Sequence, residues 1–421
     1  MNDLAGNEPR PWAGLGDAVT VLAPTVGGAF ADFLEGTRTA TGEPFSASRM
    51  AAIETLSAAF LAHPLLRRDA AGTAVAFWMR RAQVARLQAE LMRRAEADPA
   101  AIRVPVGRVL HLAPANVDTI FLYSWVVSFL CGNANIVRLS QDQRPLIGAM
   151  LEVIRDLARD HRELQEGNRF VTYAHDAGVT TVLSAWCSHR VIWGGNDTVA
   201  AVRPLALNPH ASERVFGSKF SYSVIAAARY LGAEVDTRTR TAQGFFNDLF
   251  WFDQMACSSP HLLFWVGDEP TVAAAIEVFE RDLQAEADRR GYVPAAPTAV
   301  HRRAFAFDLA VEADVTVNLA HRGFVGVRVR DPRGLARAIC GGGLLRHYRL
   351  ERLEDLYGFA EEGDQTVTHF GFEPDELRAL AAQLGVRGVD RVVPVGEALA
   401  FDIVWDGFDL LDDFTRRVRV R

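Results

Sequence analysis

At 421 residues, with 49% apolar and 23% charged side chains, the chain has an ordinary globular composition and is too long for one compact core, so two interlocked domains with extensions are expected. A net charge of −7 argues against nucleic acid as the main partner, because binding phosphates requires a basic face that releases counterions. The N-terminus, MNDLAGNEPRPWAGLGD, lacks the apolar core of a signal peptide. The longest apolar run, Ile120 to Cys131, is shorter than the about 20 residues that cross a bilayer, so a cytoplasmic protein with no transmembrane segment is expected.

The first hundred residues read as helical. Ala51 to Phe60 and Ala74 to Ala95 place apolar residues at helical spacing, with Arg80, Arg81, Arg86, Arg93 and Arg94 on a solvated face. From Val106 strands alternate with helices, which predicts a largely parallel sheet. Val109 to Leu112 reads as a strand, Ala113 to Asp118 as a turn, Thr119 to Leu130 as a buried helix and Asn135 to Leu139 as the next strand. Ligands of open α/β sheets sit at the carboxyl ends of strands, which places Asn116, Arg138 and Ser140 to meet one. Thr181 to Leu183 and Arg190 to Trp193 read as further strands. The latter runs into Gly194 and Gly195, which either allow backbone to approach a phosphate or nicotinamide closely or form an ordinary tight turn. Beyond them come a strand at Tyr222 to Ala226, a helix through Ala242 to Phe252, a turn at Cys257 and a helix from Thr271 to Arg290. A strand at Gly323 to Val329, a helix from Gly334 and a bend at Gly341 to Gly343 complete the pattern. There are no repeats and no low-complexity linker.

The four cysteines, Cys131, Cys187, Cys257 and Cys340, form no CxxC pair and have no metal-type spacing with histidine, which leaves neither a zinc site nor a disulfide framework. Three sit in apolar or glycine-rich surroundings, where free cysteine is a small buried apolar residue. Cys257 differs in being followed by Ser258, Ser259 and Pro260, a run suited to a turn.

Four blocks occur in one order: VGRVLHLAPANVDTIFLYSWVVSFLCGNANIVRLS from Val106, WGGND from Trp193, FGSK from Phe216 and DQMACSSP from Asp253. Together they resemble the layout of an aldehyde-dehydrogenase-type enzyme with a nucleophilic Cys257. They are most similar to the long-chain acyl-CoA reductases of bacterial bioluminescence, the LuxC family, from about Val106 to the C-terminal WDGFDLLDDFTR. The resemblance implies an aldehyde-dehydrogenase-like α/β fold with two Rossmann-like parallel-sheet domains. In residue ranges, it implies an N-terminal helical region over 1–100, a nicotinamide-binding domain over 101–250, a catalytic cysteine domain over 251–391, and a strand and tail over 392–421 crossing back onto the cofactor domain.

The implied activity is reduction of an acyl-CoA or acyl-protein thioester, fatty acyl in character, to an aldehyde through an acyl-cysteine. A thiolate attacks a thioester readily, because the leaving thiol is similarly stable. The resemblance offers the Asn116 side chain and the backbone N–H of Cys257 as oxyanion donors, although Asn116 could instead cap the helix that follows. His369, in Thr366–Gly371, falls near the nicotinamide side of the cleft in relatives. It would act there as an acid or hold the loop. His111 matches the family's His-x-x-Ala/Gly-x-Asn pattern loosely, with Pro114 at the Ala/Gly position, and reads as a buried supporting donor.

Oxidising aldehyde dehydrogenases begin a Glu-Leu-Gly-Gly-Lys motif with the glutamate that activates hydrolytic water. Here the matching stretch is Val215, Phe216, Gly217, Ser218, Lys219. Without that base the acyl-cysteine is left for a thiol or a hydride, which favours thioester reduction. Glu213, two residues earlier, is the other carboxylate of the segment. Lys219 is the only lysine of the chain, either a site residue that requires a compact ammonium or a chance retention. Ile136 to Ser140 occupies the adenosine-ribose stretch of the superfamily, and Arg138 with Ser140, followed by Gln141 rather than a carboxylate, suits a 2′-phosphate and so NADPH. Arg138 could equally solvate a strand end. A homo-oligomer, and an acyl-protein synthetase or acyl carrier protein as partner, follow from the resemblance. The alternatives are an acylating aldehyde dehydrogenase for a short or functionalised acyl group, and a non-catalytic acyl-binding subunit.

Overall fold

The computed structural model describes residue 12 and residues 15–25, 29–37, 42–115, 117–142, 144–331 and 337–420. The chain divides into two compact units, Met1–Gly217 with Phe408–Arg421, and Ser218–Gly407. The expected boundary near residue 250 falls inside the second unit, at the end of the helix Val235–Phe250.

The first unit contains β1 (Thr20–Ala23), β2 (Ala101–Pro105), β3 (Arg108–Leu112), β4 (Ala134–Leu139), β5 (Asn168–Thr172), β6 (His189–Trp193) and β7 (Ser212–Phe216). All but β2 form one sheet in the order β1-β5-β4-β3-β6-β7. Its strands are parallel except β1, which runs antiparallel to β5. Strands covered on both faces read as nearly continuous apolar runs, as in RVLHL of β3 and ANIVRL of β4. On one face Leu110, Ile136, Val171 and Ile192 pack with Phe33, Leu183 and Trp186. The helix Ile120–Leu130 follows β3 with every side chain from Phe121 to Leu130 buried, as its largely apolar sequence predicts.

Two local expectations fail here. Thr181 to Leu183 is the middle of a helix, Ala177–Trp186, and the strand of this region is β5. The Asp176 side chain accepts from the backbone N–H groups of Gly178 and Val179, and this N-cap outweighs the β preference of the two threonines. The long helix expected from Ala74 to Ala95 is two helices, Ala70–Trp78 and Arg81–Ala97.

The second unit holds β8 (Phe220–Ala226), β9 (Pro260–Val266), β10 (Val315–Asn318), β11 (Val325–Val329), β12 (Leu344–Leu350), β13 (Asp364–Phe370) and β14 (Arg391–Pro394), in the order β10-β11-β12-β9-β8-β13-β14. Only β10 is antiparallel to its neighbour. Alternation sorts β9 to two faces: Leu263 and Trp265 join Phe245, Leu249 and Phe279, whereas Leu262 and Phe264 join Leu356, Leu380 and Leu384. The expected helix from Gly334 starts outside the described residues, and Arg337 to Cys340 are not helical. Gly341, Gly342 and Gly343 make the predicted bend, with φ of 75°, 63° and 80°. The strand at Val392 stays in the second sheet as β14, and the chain rejoins the first unit at Phe408. There the terminal strand Thr415–Arg419 runs antiparallel to β2.

Candidate active site

Cys257 stands in the loop between the helix Val235–Phe250 and β9, and is partly exposed. The hydroxyl of Ser221 donates to the Cys257 carbonyl at 2.7 Å and itself accepts from the Thr366 backbone N–H at 3.1 Å. The loop is thereby tied to β8 and, through it, to β13. Burial pushes the Cys257 thiol up; the backbone N–H of Lys219 opposes this by donating to the sulfur, and the charge of Asp406 adds to the rise. The Lys219 ammonium lies 3.3 Å from the Asp364 carbonyl and 3.4 Å from Asp390 Oδ2. The single lysine is therefore engaged by two partners of its own unit.

Asp406 was not singled out in the sequence, where its only signal is the Asp-Gly pair. Both residues have positive φ, 49° and 73°, the conformation this dipeptide favours in tight turns. Its carboxylate is buried, accepts from Gln365 Nε2 at 2.5 Å and is pushed up to about 6 by burial. Above that pH a negative charge faces the thiol. Asp406→Asn is therefore expected to move the inflection of Cys257 alkylation by iodoacetamide to lower pH, whereas the wild-type inflection lies above the about 8.5 of a free thiol. An unmoved inflection would mean that the charge does not reach the sulfur.

His369 does not stand with the thiol. It is the sixth residue of β13, paired with Val224 and Pro394, whereas the level of Cys257 on that strand is Thr366. Three residues of strand separate the two levels by about 10 Å. The carboxyl-end rule favours the His369 edge, yet Cys257 occupies the amino edge of this sheet. Burial lowers the His369 pKa, so its ring is neutral near pH 7.

In the first unit, Arg138 and Ser140 lie at the carboxyl end of β4, and Gly194 and Gly195 follow the carboxyl end of β6, with β3 between. Arg138 donates to the Tyr173 carbonyl at 3.3 Å and lies 5.4 Å over the Tyr173 ring. The Ser140 hydroxyl accepts from the Asp142 backbone N–H at 3.3 Å. Gly194 has no left-handed φ; its absent Cβ makes room for Thr198, whose side chain would stand 3.0 Å from one. Gly195 is the N-cap residue of the helix Asn196–Val202. Asn116 lies outside the described residues. His111, fully buried and lowered to about 3 by burial, bonds Ser124 Oγ at 2.8 Å and Asn135 Oδ1 at 3.1 Å. Trp193 Nε1 donates to the same Ser124 hydroxyl at 3.1 Å, and the Trp193 ring stacks on Phe216 with centroids 3.7 Å apart. His111 thus braces the ends of β3 and β6.

Glu213 is engaged elsewhere. Arg190, 1% exposed, donates from Nε to Glu213 Oε2 at 2.6 Å, and Arg203 adds a second contact at 3.5 Å. Val215, on β7, pairs with Ile192. Among the described residues no cluster of three or more His, Cys, Asp or Glu side chains could hold a metal ion, and no helix is long and apolar enough to cross a membrane.

Residues 82–305 match the model of a family described as acyl-CoA reductase (LuxC). A long-chain acyl-protein thioester reductase of Photorhabdus laumondii subsp. laumondii is 25% identical over 301 residues, which span 69% of this chain and 58% of that protein. Its counterpart in Aliivibrio fischeri is 26% identical over 188 residues, 44% of this chain and 36% of that protein. The chain thus spans between about a third and three fifths of the lengths of these curated relatives. Among solved structures, aldehyde dehydrogenase 21 of Physcomitrella patens superposes with a TM-score of 0.67 at 11% identity, covering 92% of this chain and 89% of that one. A NAD-dependent aldehyde dehydrogenase of Sinorhizobium meliloti gives 0.66 at 12% identity, with 92% and 85% covered. At such identities the likeness establishes the aldehyde-dehydrogenase fold and nothing finer.

Proposed function

From the premise that the chain belongs to the acyl-CoA reductase (LuxC) family, we propose that it reduces an acyl thioester to an aldehyde through an acyl-enzyme on Cys257, using NADPH. The observation that carries this reading is the partly exposed thiol held beside the backbone N–H of Lys219, in a loop anchored by Ser221. The acyl carbon forms a bond to Sγ while its bond to the carrier sulfur breaks, and the carrier departs as thiolate. Because burial raises the Cys257 thiol, the Lys219 N–H and ammonium are what stabilise its ionised form. The backbone N–H of Cys257 and the side chain of Asn116 are the proposed oxyanion donors.

The first unit suits a nucleotide. Three parallel strands present their carboxyl ends together, and a guanidinium held over Tyr173 supplies the charge at that edge. Arg138 and Ser140 would hold the adenosine phosphate, and Gly194 with Gly195 would pass beneath the remainder. A reduced nicotinamide held there would supply hydride. Lys219, with its bonds to Asp390 and the Asp364 carbonyl, serves the thiol rather than the nucleotide. His369, at the far edge of its sheet, is assigned to holding its own loop.

Substrate is proposed as a fatty acyl-CoA or acyl-protein thioester, with an acyl carrier protein or acyl-protein synthetase as the delivering partner and a homo-oligomer as the working form. Incubation with a panel of acyl-CoAs of different length, and with acyl carrier protein thioesters, while NADPH and NADH oxidation are followed, tests the activity. Absence of thioester-dependent oxidation across the panel overturns it. In the same assay Arg138→Ala should weaken NADPH more than NADH by about 1.5–3 kcal/mol, the scale of a hydrogen bond to a charged group. Equal losses for the two cofactors would return Arg138 to a purely structural role at the end of β4.

A further inference from the structure

Gln254, three residues before Cys257, is fully buried and uses its whole amide. Nε2 donates to the Pro260 carbonyl at 2.8 Å and to the Leu344 carbonyl at 3.1 Å, while Oε1 accepts from the backbone N–H groups of Gly343 and Leu344, each at 3.0 Å. Two donors and two lone pairs are the full capacity of a carboxamide. The bond to Pro260 closes the Cys257 loop from within, since Pro260 is the first residue of β9. The other three bonds fasten that loop to the Gly341–Gly343 bend and the start of β12.

The backbone around Gln254 is held against its preference. Asp253 and Gln254 have φ of 48° and 62°, the left-handed region that is unfavourable for a non-glycine residue. The opposing bend is shaped to receive them. Gly342 N–H donates to the Asp253 carbonyl at 2.7 Å, a Cβ at Gly341 would lie 2.6 Å from Met255 Sδ, and one at Gly343 would lie 2.9 Å from Phe250. Beyond the thiol, Ser259 Oγ donates to the Asp248 carbonyl at 2.7 Å. Two strained residues and three successive left-handed glycines are more than a connection between a helix and a strand needs. They make sense where one atom of the loop must be held to a fraction of an ångström.

We propose that Gln254 is a positioning residue for the thiol: its amide locks the Cys257 loop onto the Gly341–Gly343 bend and so sets where the sulfur stands relative to the Lys219 N–H. Gln254 touches no reacting atom. Its action is on the geometry of attack, to which enzymes respond steeply, about 100-fold for a displacement near 1 Å. The proposal rests on Cys257 being the nucleophile.

The test uses the full chain carrying Gln254→Glu or Gln254→Met, each similar in volume to glutamine. Ionised glutamate turns two donors into acceptors that face two carbonyls, and methionine removes all four bonds. Both should retain the wild-type KM for acyl-CoA within about twofold. Both should lose about 10-fold to 100-fold in kcat and in the rate of acyl labelling of Cys257 without NADPH. The pH inflection of Cys257 alkylation should also move, because the sulfur leaves its place beside the Lys219 N–H; a merely stabilising glutamine would not shift it. Wild-type labelling rates and an unmoved inflection in a folded variant overturn the proposal. Failure of both variants to fold overturns it as well, by making the role one of folding. If the wild-type protein itself is not labelled on Cys257, it is the nucleophile assignment that fails, which distinguishes the two ideas.

Discussion

Cys257→Ala is expected to abolish thioester-dependent oxidation of NADPH, by on the order of 10⁴-fold or more, the scale on which removal of an enzymic nucleophile acts. No other cysteine can substitute. Cys131 and Cys187 are buried in the first unit, and burial pushes the thiols of Cys187 and Cys340 up to about 12 and about 11. The fold should survive, because the anchors of the loop are the backbone carbonyl of Cys257 and the side chain of Gln254 rather than the sulfur. Cys257→Ser should recover little, since a hydroxyl needs an adjacent base and the Lys219 N–H is a donor. Incubation with radiolabelled acyl-CoA in the absence of NADPH should label the wild-type protein and leave the alanine variant unlabelled. Continued thioester-dependent oxidation in that variant would end the covalent mechanism.

The second large effect concerns the fate of the acyl-enzyme. By the resemblance of its Val215–Lys219 stretch, Val215 is expected to fall where oxidising aldehyde dehydrogenases carry the glutamate that activates water. The nearest carboxylate in sequence, Glu213, is bound to the buried Arg190 and to Arg203. With no base supplied from this segment, hydrolysis should be slower by about 100-fold to 10,000-fold, the usual contribution of general base catalysis. Thiols attack as thiolates and need no such base. The acyl-enzyme formed without NADPH should therefore persist, then pass its acyl group to added CoA far faster than to water. Aldehyde with NADP⁺ alone should yield little carboxylic acid, and addition of CoA should restore turnover as thioester. Rapid CoA-independent formation of acid would show that another base operates, and the assignment as a reductase would have to be withdrawn.

Much of this was legible in the sequence because its causes are local. The apolar runs of β3 and β4 and the largely apolar helix Ile120–Leu130 report burial on both sides. Gly341 to Gly343 report a left-handed bend, and the four ordered blocks carry the family. A local reading failed at Thr181 to Leu183, where β-branched residues compete with a helix cap at Asp176 and with the burial of Val179, Leu183 and Trp186 on one helical face. What the tertiary structure decided is which distant residues meet. Ser221 reaches the Cys257 carbonyl, and Thr366 reaches Ser221, because β8 lies between β9 and β13, and a strand order of that kind leaves no spacing in the chain; the Lys219 backbone N–H and the Asp406 charge act on the thiol itself. The same register carries His369 about 10 Å from the level of Cys257, since β13 runs parallel to β8 and leads toward the opposite edge. Residue types thus pointed to Cys257 and to a kind of chemistry, whereas the packing of parallel strands selected the groups that surround its loop.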